Sequence, residues 1–168
     1  MNARALVVSL LSSLTLTSLS TSALAAPAVN DTAFYVGTLK AQGRRLALTT
    51  EVQLVQYDDV KKAFLQRSTD SCIGQSNTRE EWIETDKVLT AETAAKIVAN
   101  CEQEGGKLET IEVWAGTYKA CAITNEDEQS IETNWIAEVP FGIVKAHSAA
   151  KDGSMETTVE LDTVTKAQ

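Results

Sequence analysis

The chain of 168 residues holds one histidine, two prolines, two methionines and three cysteines, and only 5% of it is aromatic. Each shortage closes off a class of chemistry. A Ser-His-Asp or Cys-His catalytic site has only His147 to use. That residue lies between Ala146 and Ser148 in a polar stretch and reads as ordinary surface. Zinc sites built on two or more histidines are excluded, and three widely spaced cysteines do not make a structural zinc site. No Cys-x-x-Cys pair is present, so a thioredoxin-like redox motif is missing. No Gly-x-Ser-x-Gly elbow occurs. The Gly105-Gly106 pair follows a predicted helix rather than opening one, so it is a helix stop and not a phosphate-binding loop. Beyond residue 25, no apolar run approaches the roughly 20 residues needed to span a bilayer.

What is present begins at the N-terminus. Arg4 precedes an apolar run from Ala5 to Leu11 that continues less purely to Leu19. Ser20-Thr21-Ser22 and the small-residue site Ala23-Leu24-Ala25 follow. This is the layout of a secretory signal peptide over residues 1–25, with cleavage between Ala25 and Ala26. No cysteine lies near the site, so a lipoprotein anchor is not expected. The mature protein is therefore expected to be periplasmic or secreted. It would retain 143 residues, enough for one domain that buries roughly 70% of its unfolded surface. The full chain carries 15 basic and 23 acidic residues, net −8. Without Arg4 the balance becomes 14 against 23, net −9. That charge keeps an exported protein soluble and disfavours nucleic acid and anionic surfaces as partners.

The remaining chain predicts an α+β fold: a curved, mainly antiparallel sheet of about six to eight strands packed on one main helix at about 90–104. Residues 26–32 read as a flexible leader, with a glycosylation-type triplet at Asn30-Asp31-Thr32, and 33–168 as a single domain. Phe34–Val36 is a short strand. Leu46, Leu48, Thr50, Val52 and Leu54 alternate with polar or small residues, which marks a strand to Tyr57 with one buried face. Asp58-Asp59 reads as a turn, and Lys62 to Ser68 as the returning strand. Ser71 to Thr78 reads as a loop, and Glu80 to Val88 as another strand. Thr90 suits an N-cap, and Ala94, Ile97, Val98 and Cys101 lay one apolar stripe along the helix. Lys107–Val113, Thr117–Thr124, Trp135–Lys145 and Thr157–Val164 all have strand character. Pro140 interrupts the third of these and belongs at an edge or bulge.

In an exported protein the three cysteines predict one disulfide and one leftover thiol. Cys101 sits on the helix stripe and Cys121 on a strand after the first turn back, so their bridge would staple helix to sheet. Cys72–Cys101 is the alternative, and Cys72 is otherwise unpaired.

Acidic groups are numerous, but nothing in the sequence selects a catalytic pair. Glu80, Glu81 and Glu84 cluster, as do Glu126, Asp127 and Glu128. The 125–130 stretch loosely suggests a calcium loop, yet Ser130 stands where glycine is required and Ile136 where a bidentate glutamate is required. A solvated acidic turn accounts for it. Trp82, Trp114 and Trp135 read as core or edge packing ahead of a ligand groove.

The segments Asn100–Gly106 and Glu109–Cys121, with Trp135-Ile136-Ala137, Phe141–Lys145 and Glu160-Leu161, resemble small bacterial exported proteins of unknown function. Such families are similar in fold to periplasmic lipoprotein carriers, in which a half-open antiparallel sheet wraps a helix. The resemblance implies handling of a hydrophobic ligand. The expectation is a non-enzymatic envelope protein without cofactor or metal, acting as a binding or interaction module. Its partner would be another envelope protein or an apolar small molecule. The alternative is a carrier holding an acyl chain or lipid between the Ile97-Val98 stripe and the Leu46-Leu48-Val52-Leu54 face.

Overall fold

The computed structural model describes residues 26–167. The predicted signal peptide and its cleavage site at Ala25 lie outside or at the border of that range. Nine strands form one sheet: β1 (Thr32–Ala41), β2 (Arg44–Asp58), β3 (Ala63–Cys72), β4 (Gln75–Glu84), β5 (Lys107–Val113), β6 (Gly116–Glu126), β7 (Ser130–Ile136), β8 (Ile143–Ala150) and β9 (Met155–Thr165). Their order is β4-β3-β2-β1-β9-β8-β7-β6-β5, and every pairing is antiparallel. Two meanders therefore meet where β9 pairs with β1. Helix α1 (Ala91–Ala99) lies in the connection between the two edge strands β4 and β5, and packs on β6 and β7. No helix among the described residues is long and apolar enough to cross a membrane.

The strand count exceeds the expected six to eight because the Ser71–Thr78 stretch is not a loop. Ile73 and Gly74, both at positive φ, make a two-residue turn, and β3 and β4 run directly up to it. Gln75 to Trp82 of β4 are all exposed, so this polar edge strand has no buried face to produce apolar alternation. The predicted Trp135–Lys145 strand is also divided. Ala137 to Gly142 fold into tight turns, with Ala137 N–H donating to Gly142 C=O at 2.8 Å and Gly142 N–H donating to Val139 C=O at 2.9 Å. Pro140 thus sits between strands rather than at an edge or bulge, and Phe141 and Gly142 adopt φ of 64° and 67°.

Thr90 caps α1 through a reciprocal bond with Thr93, as its residue type requires. The helix ends at Ala99 and not at 104. Asn100 leaves the helical conformation, and residues 100–105 turn so that Gly106 N–H reaches Cys101 C=O. That reversal brings Cys101 onto β6, where it forms a disulfide with Cys121. Both cysteines are buried. Cys72 is free and half-buried.

Two apolar clusters form the core. The larger joins Ala33, Tyr35, Val113, Ala120, Ala137, Val139, Val144 and Leu161; the smaller joins Leu54, Phe64 and Val88. Phe141 packs against both. The segment expected to be a flexible leader is bound to this frame. Asn30 N–H donates to Leu54 C=O, Leu54 N–H donates to Asp31 C=O, and Asp31 is 1% exposed.

Candidate functional site

Residues directly opposite in an antiparallel pair share a face of the sheet, and so do positions two apart on one strand. The register therefore defines rows of side chains along one face of the sheet. One row runs Gln75, Cys72, Leu48, Gly37, Val159 and Ala146 across six strands. The next row outward contains Leu46, Leu39 and Thr157, and the next inward Asn77, Asp70, Thr50 and Tyr35.

These rows enclose an open groove of about 530 Å³, lined chiefly by Leu39, Leu48, Val159, Cys72 and Asp70. Its size falls within the range of small-molecule sites. Gly37 leaves the middle of the row without a side chain. A Cβ there would collide with Thr158 C=O and come within 2.7 Å of Val159 Cα, so only glycine permits this approach of β1 to β9. The groove is apolar on the β1, β2 and β9 side and polar toward β3 and β4. On the polar side Thr50 Oγ1 donates to Asp70 Oδ1 at 2.7 Å, and Arg79 Nη2 donates to Asp70 Oδ2 at 3.2 Å. Farther in, the Tyr35 hydroxyl donates to Ile143 C=O at 3.1 Å, and burial raises its phenol above the ordinary range.

The sequence placed a ligand space between the Ile97-Val98 stripe and the Leu46–Leu54 face. The structure separates these parts. Helix α1 stands over β6 and β7, Leu54 belongs to the smaller core cluster, and Val52 packs on the larger one. Of the four residues on that face, Leu48 lines the groove. The partners Leu39 and Val159 went unrecognised because they belong to other strands. Val159 alternates with polar neighbours in its own strand, but the pairing of β1 with β9 spans most of the chain.

The other candidate residues are dispersed. His147 Nδ1 lies 3.0 Å from Thr158 Oγ1 across the β8–β9 pair. Glu80 pairs with Arg67, Glu84 with Lys87 and Glu126 with Lys151. Asp127 accepts the backbone N–H groups of Gln129 and Ser130, which hold its carboxyl below the usual range and shape the β6–β7 turn. The suggested calcium loop is thus a hairpin turn capped by its own aspartate. Among the described residues, no group of three or more His, Cys, Asp or Glu is arranged to hold a metal. Trp135 donates from Nε1 to Glu109 at 3.0 Å, and Lys107 and then Trp135 hold the Glu109 carboxyl low. Trp114 is 73% exposed at the β5–β6 turn and Trp82 is 41% exposed on β4.

No protein-family model and no curated protein sequence matches the chain. Solved structures do. One is an exported protein with a YmcC-like fold from Bacteroides fragilis, with a TM-score of 0.48 and 10% identity over 83% of this chain and 97% of that one. MucB in complex with MucA(peri) gives a TM-score of 0.43 and 9% identity over 82% of this chain and 51% of that one. An outer membrane lipoprotein-sorting protein domain from Vibrio parahaemolyticus gives 0.27 and 6%, over 82% and 85%. The chain spans about half the length of MucB. An exported protein and a lipoprotein-sorting domain are thus among its structural neighbours. Likeness at this level concerns the arrangement of strands and carries nothing about a ligand.

Proposed function

We propose that the chain is an exported, non-enzymatic binding module that holds an apolar or amphiphilic small molecule in the open groove of its sheet. Export rests on the three-part pattern of residues 1–25. Binding rests on one observation: Leu39, Leu48 and Val159, register neighbours of the side-chain-free position Gly37, line a groove of about 530 Å³. Apolar side chains left around a hollow instead of packed together favour a ligand that fills it. A catalytic reading lacks comparable support, since His147 meets a threonine and, within the two acidic clusters, Glu80, Glu84 and Glu126 are engaged in ion pairs and Asp127 in its own turn.

The test is fluorescence of N-phenyl-1-naphthylamine, an uncharged dye that brightens in apolar surroundings. It should bind the wild-type protein and be lost on Leu48→Arg, with the urea midpoint of the variant unchanged. Native mass spectrometry of protein recovered after export should show a bound small molecule. Absence of dye binding and of any adduct would overturn the reading.

A further inference from the structure

We infer that the ligand is a single-chain amphiphile with an anionic head, held at the mouth of the groove by Arg44. The inference rests on the groove reading above and adds the chemistry of the head.

The register supplies the placement. Ala41 stands opposite Arg44 on one side and opposite Met155 on the other. This row lies on the groove face, one step outward from Leu46, Leu39 and Thr157. Successive rows on one face are about 7 Å apart, within the span of an extended arginine side chain. Arg44 is exposed, and Met155, 50% exposed, adds an apolar lip to the same row.

Charge supplies the second observation. Several other ionic groups at this end of the sheet are engaged. Lys40 pairs with Glu156 at 3.4 Å and Lys151 with Glu126 at 2.6 Å. Asp127 and Asp152 accept N–H groups of their own turns. Inside the groove, Asp70 is taken up by Thr50 and Arg79. Arg44 and Arg45 have no carboxylate within ion-pair distance among the described residues. Arg45 stands opposite Lys40, on the other face of the sheet. Among the described residues Arg44 is therefore an unmatched cation at this end of the sheet on the groove side, in a chain of net charge −8. A guanidinium presents paired donors to a carboxylate or phosphate. With the head on Arg44, an alkyl tail runs inward past Leu39 to Leu48 and Val159.

Displacement of the uncharged dye tests this. Dodecanoate, dodecyl phosphate and methyl dodecanoate are compared on wild type, Arg44→Gln, Arg44→Glu and the opposite-face control Arg45→Gln. Arg44→Gln should weaken dodecanoate about tenfold, the loss of one exposed charge-assisted contact. Arg44→Glu should weaken it further, and methyl dodecanoate should be unaffected by either. Dodecyl phosphate should follow dodecanoate, whereas inorganic phosphate alone should not displace the dye. Arg45→Gln should change nothing. Equal losses for acid and ester, or no loss for the acid, would overturn the assignment of Arg44 while leaving the groove intact. A wild-type protein that binds neither dye nor amphiphile would overturn the groove reading itself.

Discussion

Lys166, near the C-terminus, donates its ammonium to the buried carboxylate of Asp31 at 2.6 Å, joining the start of the described chain to its end. Asp31 also accepts N–H groups from Ala28 and Ala167 at 2.9 Å each. Burial alone pushes this carboxyl up. The Lys166 ammonium and the Ala167 and Ala28 N–H groups outweigh that, and hold it below its ordinary value of 3.8. A carboxyl depressed in the folded state stabilises the fold above its unfolded value and loses that contribution as pH falls through the folded one. Stability should therefore decline below about pH 4. Asp31→Asn should already be weaker at neutral pH and should show a shallower acid limb. Urea unfolding at pH 7, 5 and 3 measures both. Asp31→Ala should cost about 2 kcal/mol at pH 7, because it leaves buried donors unpaired.

The Cys101–Cys121 bridge encloses a segment of 20 residues. Closing a loop of that length stabilises the fold by about 3 kcal/mol in the chain-entropy model. The double variant Cys101→Ala, Cys121→Ala should lose that amount in guanidinium unfolding and keep its sheet circular dichroism. Gly106 packs directly on the bridge. A Cβ there would stand 2.5 Å from Cys121 Sγ and 2.9 Å from Cys101 Sγ. Gly106→Ala should therefore raise the fraction of molecules with three titratable thiols, and an unchanged count of one would refute the contact.

Ile73 occupies the first position of the β3–β4 turn at φ 50°, with Gly74 at 71°. A β-branched residue in the left-handed region is strained by about 1–2 kcal/mol. The β1–β2 turn has the same two-residue form with Gln42 and Gly43 at φ 49° and 75°. Asparagine-glycine is the pair that such turns favour. Ile73→Asn should stabilise the protein by about 1 kcal/mol and remove a side chain that is 73% exposed. Thermal unfolding is the measurement, and a lowered midpoint would contradict the argument.

Local pattern made some of this architecture readable in advance. Thr90, with an apolar stripe behind it, marked the helix start, and the Leu46–Leu54 alternation marked β2. The helix–strand placement of Cys101 and Cys121 pointed to their bridge. The rest depended on long-range relations. The first half of β4, Gln75–Arg79, was obscured because an edge exposed on both faces needs no apolar period, whereas the strand expected at Glu80–Val88 is present as far as Glu84. The division of Trp135–Lys145 was hidden because Ala137 and Val139 keep a strand-like alternation while their backbone turns to fill the core. Asp31 looked like a leader residue because its partner, Lys166, is 135 positions away. The groove was the least accessible feature. It lies beside Gly37, where a Cβ would meet the backbone of Thr158 and Val159 on β9, a relation set by strand pairing and invisible in the local sequence.

That glycine supports the most direct test of the groove. Gly37→Ala adds a single methyl, but the methyl meets backbone atoms of Thr158 and Val159 that belong to a neighbouring strand. Flexible side chains could yield to it; paired backbone cannot without loss of register. Overpacking of this kind costs about 1–3 kcal/mol. The variant should therefore unfold at lower urea and, where folded, separate β1 from β9 or fill the hollow between Leu48 and Val159. Either response should weaken binding of the uncharged dye. Thr38→Ala, one position along on the opposite face, is the control and should leave dye binding unchanged. A Gly37→Ala protein with wild-type stability and wild-type dye affinity would show that the bare position does not shape the groove.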